Sequence, residues 1–119
     1  MIADDEPKIR QGLKSVLEEM ELPITVCAEA RNGMEALEKA GQFWPDFILI
    51  DICMPKLSGI QFLEELRKLD KNCPVIVISG FNEFSYAKQA IKLGVSEYLL
   101  KPIAEEELQA AVVKVTEEI

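Results

Sequence analysis

The chain has 119 residues, a formal net charge of −8 and a 49% hydrophobic share, with only 6 Gly and 6 Pro. That is the length of one domain, with enough apolar material for a core, so a disordered segment is excluded. The acidic balance argues against charge-driven nucleic-acid binding by this piece, and the absence of histidine removes imidazole catalysis, imidazole metal ligands and His-based phosphorelay.

No apolar run approaches the ~20 residues of a membrane helix. The amino end turns acidic within four residues, unlike a signal peptide. Cys27, Cys53 and Cys73 are odd in number with no close pair, which argues against a disulfide framework or a zinc site. All three sit in apolar company, and the expectation is reduced core thiols in a cytoplasmic protein. No repeat, low-complexity tract or linker interrupts the chain.

Apolar residues alternate between two periods along the chain. Met1-Ile2-Ala3 form a first strand before the acidic cluster. Strands usually run about five or six residues, so either this one is unusually short or the native chain begins a few residues earlier; the second is the expectation. After Pro7, which suits a first helical position behind an acidic cap, Ile9, Leu13, Val16, Leu17 and Met20 recur at helical spacing. Ile24 to Ala30 is a strand-like run entered through Pro23. Gly33 opens a second helix carrying Met34, Leu37 and Ala40. Phe47-Ile48-Leu49-Ile50 is solidly apolar, as a strand buried on both faces should be.

Pro55 and Gly59 bracket a loop before a third helix with Leu63, Leu66 and Leu69 on one face. Val75-Ile76-Val77-Ile78 is a β-branched strand after Pro74. A fourth helix follows from about Glu83 to Leu93, with Gly94 at its carboxyl-terminal cap. Tyr98-Leu99-Leu100 is a short strand stopped by Pro102, and a last helix shows Leu108, Val112, Val115 and Ile119. Strands alternating with helices of 10–15 residues predict a doubly wound α/β domain, a parallel sheet with helices on both faces.

Ligands in such sheets bind at the carboxyl ends of strands, where the strand order reverses. Those ends carry Asp4-Asp5, Asp51, Ser79 and Lys101. Asp and Lys are poor strand residues and gain nothing from packing there. Clustered carboxylates repel one another unless protonated or bridged by a cation, and an oxygen-only donor set selects a hard ion such as Mg2+. Each residue alone has an ordinary explanation. Asp4, Asp5 and Glu6 could cap the first helix, Asp51 could begin a turn, Ser79 could cap the fourth helix, and Lys101 could be a solvated charge. Their conjunction at one sheet edge favours a site.

The set Asp4-Asp5, Asp51 followed by Met54-Pro55 and Gly59, Ser79-Gly80 and Lys101-Pro102 resembles the receiver domain of bacterial two-component response regulators, over nearly the whole chain. The resemblance implies a flavodoxin-like five-stranded sheet of order 2-1-3-4-5 with five helices, one receiver domain over residues 1–119. It implies that Asp51 accepts a phosphoryl group from a sensor histidine kinase. Mg2+ would be held by Asp5 directly, by Asp4 through water, by Asp51 and by the backbone carbonyl of Cys53. Lys101 would neutralise phosphoryl oxygens, with a cis peptide to Pro102, and Ser79 and Tyr98 look like the family's switch pair. The chain would be a signalling domain rather than an enzyme, catalysing its own phosphoryl transfer and loss.

Chemistry agrees with that reading. An aspartyl phosphate needs no imidazole on this chain, and phosphoryl transfer asks mainly for positioning and charge neutralisation. Phosphate oxygens offered to Ser79 would draw the following loop inward, with Tyr98 filling the vacated space under the surface of the fourth helix, fifth strand and fifth helix. Cys53 and Phe81 flank the site where the family varies, and their weakly polar side chains point to a long-lived phosphoryl state.

Three rivals stand beside it. Phosphatases with an aspartate nucleophile want an acid two residues later, where this chain has Cys53. Neither nucleotide-binding glycine motif occurs. A degenerate receiver acting as a protein-interaction module remains, and Mg2+ binding discriminates it. The run Ser79-Gly80-Phe81-Asn82-Glu83-Phe84 through Tyr86-Ala87 resembles regulators of the YesN/AraC group. That implies a longer parent protein with a carboxyl-terminal AraC-type helix-turn-helix output domain. Lys88 and Lys92, with Glu105, Glu106 and Glu107, offer opposite charges for a homodimer through the fourth helix, fifth strand and fifth helix.

Overall fold

In the computed structural model, which describes residues 1–54, 56–80 and 84–119, strands and helices alternate from end to end. They are β1 (Ile2–Ala3), α1 (Pro7–Glu19), β2 (Glu29–Ala30), α2 (Gly33–Phe43), β3 (Ile48–Asp51), α3 (Gly59–Leu69), β4 (Val75–Ser79), α4 (Phe84–Lys92), β5 (Glu97–Leu100) and α5 (Glu105–Glu118). The expectations placed on Pro55, Phe81, Asn82 and Glu83 fall outside the described residues.

All strand pairings are parallel, in the order β2-β1-β3-β4-β5. Alternation along each strand splits the core in two. Ile48, Ile50, Val75 and Val77 face one side, under Ala36, Ala40, Phe62, Leu63, Leu66 and Ala90 of α2, α3 and α4. Leu49, Ile76, Ile78 and Leu99 face the other, under Leu13 and Leu17 of α1 and Leu108, Val112 and Val115 of α5. Every residue of β3 and β4 is buried, which explains why both read as unbroken apolar runs rather than alternating ones.

Local signals set several helix ends. The Asn32 side chain accepts from Glu35 N–H at 2.8 Å to start α2. Ser58 and Gln61 form a reciprocal capping box at α3. Gly94, at φ 73°, takes the left-handed position just beyond α4, where a side chain would be strained. Pro7 is the first residue of α1, but Glu6 makes no side-chain cap there.

The structure corrects several expectations. The run from Ile24 to Ala30 is a strand only at Glu29–Ala30, because a strand needs a neighbour and β1 presents two residues to it. Ile24 to Cys27 instead line a groove of about 490 Å3, faced by Phe43, Trp44 and Phe47. Met34, Leu69 and Ile119 belong to the apolar helical patterns yet are 57%, 51% and 64% exposed. Cys27 and Cys53 are exposed rather than core thiols. Cys73 is buried, and burial pushes its thiol up to about 11, so it is neutral and inert at physiological pH.

Candidate functional site

Because β1 is followed in space by β2 on one side and β3 on the other, the strand order reverses between β1 and β3. A crevice therefore opens at their carboxyl ends. Asp4 leaves β1 with its backbone N–H still donating to Ala30 O at 3.0 Å. Asp51 ends β3 and Ser79 ends β4, the latter next to Lys101, whose N–H donates to Ser79 O at 2.8 Å. The ladder thus fixes the backbones from which the site's side chains project. The Lys101–Pro102 peptide is cis, as the family resemblance implied.

Asp4 is fully buried, Asp51 is 3% exposed and Ser79 1%. Lys101 Nζ lies 3.3 Å from Asp4 Oδ2 and 3.3 Å from Asp51 Oδ2, so one ammonium is shared between two buried carboxylates. Their other oxygens accept from the backbone: Glu6 N–H reaches Asp4 Oδ1 at 2.9 Å, and Cys53 N–H reaches Asp51 Oδ1 at 3.2 Å. Asp5 is exposed at the mouth.

Burial raises the pKa of both Asp4 and Asp51 above the ordinary carboxylate value; for Asp51 the neighbouring Asp4 charge adds to the rise, and Lys101 opposes it in both. Burial works to lower Lys101, but Asp51 and Asp4 outweigh it and hold the ammonium above its ordinary value. The described ligand atoms of Asp4, Asp5 and Glu6 fall within 4.8 Å of one another. Glu6 is absent from the ligand set expected from the sequence, and that grouping omits Asp51, which Lys101 links to Asp4 instead. Two buried carboxylates share one ammonium, and exposed Asp5 lies close to Asp4, so the negative charge is in excess and the side-chain donors are oxygens, which fits a hard divalent cation.

Space behind Asp51 depends on one glycine. A Cβ on Gly59 would lie 2.6 Å from Asp51 O and 2.6 Å from Ile52 Cα, and Gly59 N–H donates to Ile52 O at 2.8 Å. Only glycine lets α3 begin so close to the end of β3. Tyr98 pairs in register with Val77 and packs on the same core as Val77, so it lies one pleat below Ser79 on that face. Its hydroxyl is buried with no hydrogen-bond partner among the described residues.

Two arginines escape a reading from strand ends. Arg10 of α1 donates from Nη1 to Asp4 O at 2.7 Å. Arg67 of α3 donates to Leu93 O at 2.7 Å and Gly94 O at 3.1 Å, and to Asp70 O and Cys73 O at 3.3 and 2.8 Å. Its guanidinium therefore holds the end of α4 against α3. No local sequence pattern announces a side chain that binds distant carbonyls.

Among the described residues no helix is long and apolar enough to cross a membrane. The sequence profile of the response regulator receiver domain matches residues 1–113. The chain is 34% identical over all its 119 residues to the uncharacterized transcriptional regulatory protein YesN of Bacillus subtilis, covering 32% of that protein. Its fold superposes on the REC domain of AraT, a response regulator from Geobacillus stearothermophilus, with TM-score 0.91 and 43% identity, covering 98% of this chain and 91% of that one. A complex of CheX with CheY, BeF3 and Mg2+ from Borrelia burgdorferi matches with TM-score 0.90 and 27% identity over 97% of this chain and 86% of that one. With its element order, its strand order and its acidic crevice all in agreement, the chain belongs to the receiver domains of two-component response regulators.

Proposed function

We propose that Asp51 is the phosphoacceptor of this receiver domain, working with Mg2+ and Lys101 to take a phosphoryl group from a phosphohistidine on a sensor kinase. The observation that carries the proposal is the buried pair Asp4 and Asp51 sharing the Lys101 ammonium beside exposed Asp5. Asp5, Asp4, Asp51 and the Cys53 carbonyl would hold the cation, which when bound supplies charge neutralisation at the phosphoryl oxygens. The carboxylate oxygen of Asp51 forms the new bond to phosphorus as the donor's phosphorus–nitrogen bond breaks. Lys101 then moves its charge from two carboxylates to the phosphoryl group. Ser79, at the end of the neighbouring strand, supplies a hydroxyl to a phosphoryl oxygen, and Tyr98 responds beneath α4. Phosphoryl transfer and its hydrolytic loss are carried out by the domain on itself, with no further substrate.

The CheY complex supports the cation by its own Mg2+ and BeF3. The chain spans about a third of YesN and 42–43% of other curated relatives, so activity beyond the receiver belongs to segments outside it. The YesN-like sequence supports an AraC-type DNA-binding output domain in a cytoplasmic regulator. Exposed Lys88 and Lys92 on α4 and Glu105 to Glu107 on α5 support pairing of two receivers through α4, β5 and α5.

Incubation with acetyl phosphate and Mg2+ should add one phosphoryl group, seen by mass spectrometry of the intact chain. The adduct should be absent from Asp51→Asn and from samples with chelator. An Asn variant labelled like the wild type would refute the assignment. A wild type that neither labels nor binds Mg2+ would identify a degenerate receiver serving as an interaction module.

A further inference from the structure

We infer that Arg10 is a positioning residue for the cation-binding carboxylates, acting through the peptide plane between Asp4 and Asp5. The inference rests on the Mg2+-dependent reading of the site given above. Asp4 does not need Arg10 to aim its carboxylate, since Glu6 N–H and Lys101 hold its two oxygens. Asp5 is different. Its side chain is exposed, and no hydrogen bond or ion pair restrains it among the described residues. What sets its direction is the backbone that carries it, beginning with the planar peptide it shares with Asp4.

Arg10 grips that peptide. Its Nη1 donates to the Asp4 carbonyl oxygen at 2.7 Å, a short charge-assisted bond. In the preceding peptide unit, Asp4 N–H is held by Ala30 O at 3.0 Å, so Asp4 is tied down at both its N–H and its carbonyl. Rotating the Asp4–Asp5 plane would break the Arg10 bond and swing the Asp5 side chain away from Asp4, whose ligand atom it now lies within 4.8 Å of. Only a two-residue strand precedes this turn, so β1 alone offers it little restraint.

The guanidinium is itself immobilised. Arg10 Nε lies 3.4 Å from Glu29 Oε1, and the arginine side chain is 13% exposed. Glu29 lies in β2, opposite Ile2 in register, and Lys14 reaches its other oxygen at 3.8 Å. Arg10 therefore relays the position of β2 to the Asp5 backbone. A planar fork meets a carbonyl and a carboxylate at once, which a lysine ammonium on a flexible stem reproduces poorly.

A positioning role and a charge role predict opposite signs. A cation near the crevice repels Mg2+, so if Arg10 acted only as charge, removing it would tighten Mg2+ binding. If it positions Asp5, removal weakens binding despite the charge gained. Isothermal titration with MgCl2 on the whole chain should give a dissociation constant raised about tenfold in Arg10→Met, the size expected for losing a group that orients metal ligands. Arg10→Lys, which keeps the charge, should fall between that variant and the wild type. Acetyl phosphate labelling of Arg10→Met should need more Mg2+ for half-maximal rate than the wild type, in proportion to the raised dissociation constant. Unchanged or tighter Mg2+ binding in Arg10→Met would overturn the inference, as would full recovery in Arg10→Lys. A half-maximal Mg2+ concentration for labelling equal to the wild type's would overturn it too. Failure of the wild type itself to bind Mg2+ would instead remove the reading of the site on which it stands.

Discussion

Replacing Lys101 with methionine tests the electrostatics of the crevice directly. The change keeps a similar apolar stem and removes an ammonium that faces both Asp4 and Asp51, each at 3.3 Å. At an effective dielectric constant near 20, each contact is worth about 5 kcal/mol of gross Coulomb attraction. Desolvation cancels much of that, and removing one partner of a buried pair costs about 3–5 kcal/mol in measured cases. Lys101 is 19% exposed on its side chain, which favours the lower end. A loss of about 3 kcal/mol corresponds to about 12 °C in Tm for a chain of this length.

The loss should depend on pH. Burial already raises both carboxylates above their ordinary 3.8, and without Lys101 they rise further. A carboxyl group whose pKa is raised by folding destabilises the fold progressively as pH climbs from its unfolded value through its folded one. The deficit of Lys101→Met should therefore be near its full size at about pH 7.5 and shrink towards about pH 4. Thermal melts in chelator across that range measure it. Adding Mg2+ should restore more stability to the variant than to the wild type, because a cation replaces the missing charge. A deficit equal at every pH, or larger in acid, would refute the electrostatic account and leave only lost packing.

Asp5→Ala should abolish the Mg2+-induced rise in Tm, and a wild-type-sized shift would contradict its role as a ligand. Gly59→Ala should destabilise by about 1–3 kcal/mol, the range for overpacking a filled site; because its Cβ meets Asp51 O, chemical denaturation and acetyl phosphate labelling should fall together. Sedimentation should find the domain a monomer or weak dimer, with beryllofluoride strengthening self-association and Lys88→Glu weakening it. Identical sedimentation in all samples would mean that activation releases an output domain rather than pairing receivers.

Much of this was legible because strands buried on both faces have an unmistakable composition. Ile48 to Ile50 and Val75 to Ile78 announced β3 and β4, and charged or hydroxyl residues at their ends could not be core. Asp4, Asp51, Ser79 and Lys101 do lie together at one sheet edge. What the sequence hid was pairing and exposure. Ile24 to Ala28 has strand composition, but pairing depends on a neighbour that no window along the chain reveals. Cys27 and Cys53 have apolar neighbours in sequence, yet side chains of adjacent residues need not share an environment. Arg10 and Arg67 act on backbone carbonyls, and every residue has one, so no residue type at a fixed spacing marks their partners.

Burial of β3 and β4 on both faces has a mechanical consequence. Asp51 and Ser79 are the last residues of strands whose neighbours fill the interior at near-crystalline density, and such packing resists compression. A phosphoryl group added to Asp51 cannot make room for itself by pushing its own strand inward. The extra volume must be accommodated on the open side of the crevice, beyond the carboxyl ends of the strands. The central strands act as a stiff floor, and a modification there is transmitted outward to the surface rather than absorbed below it.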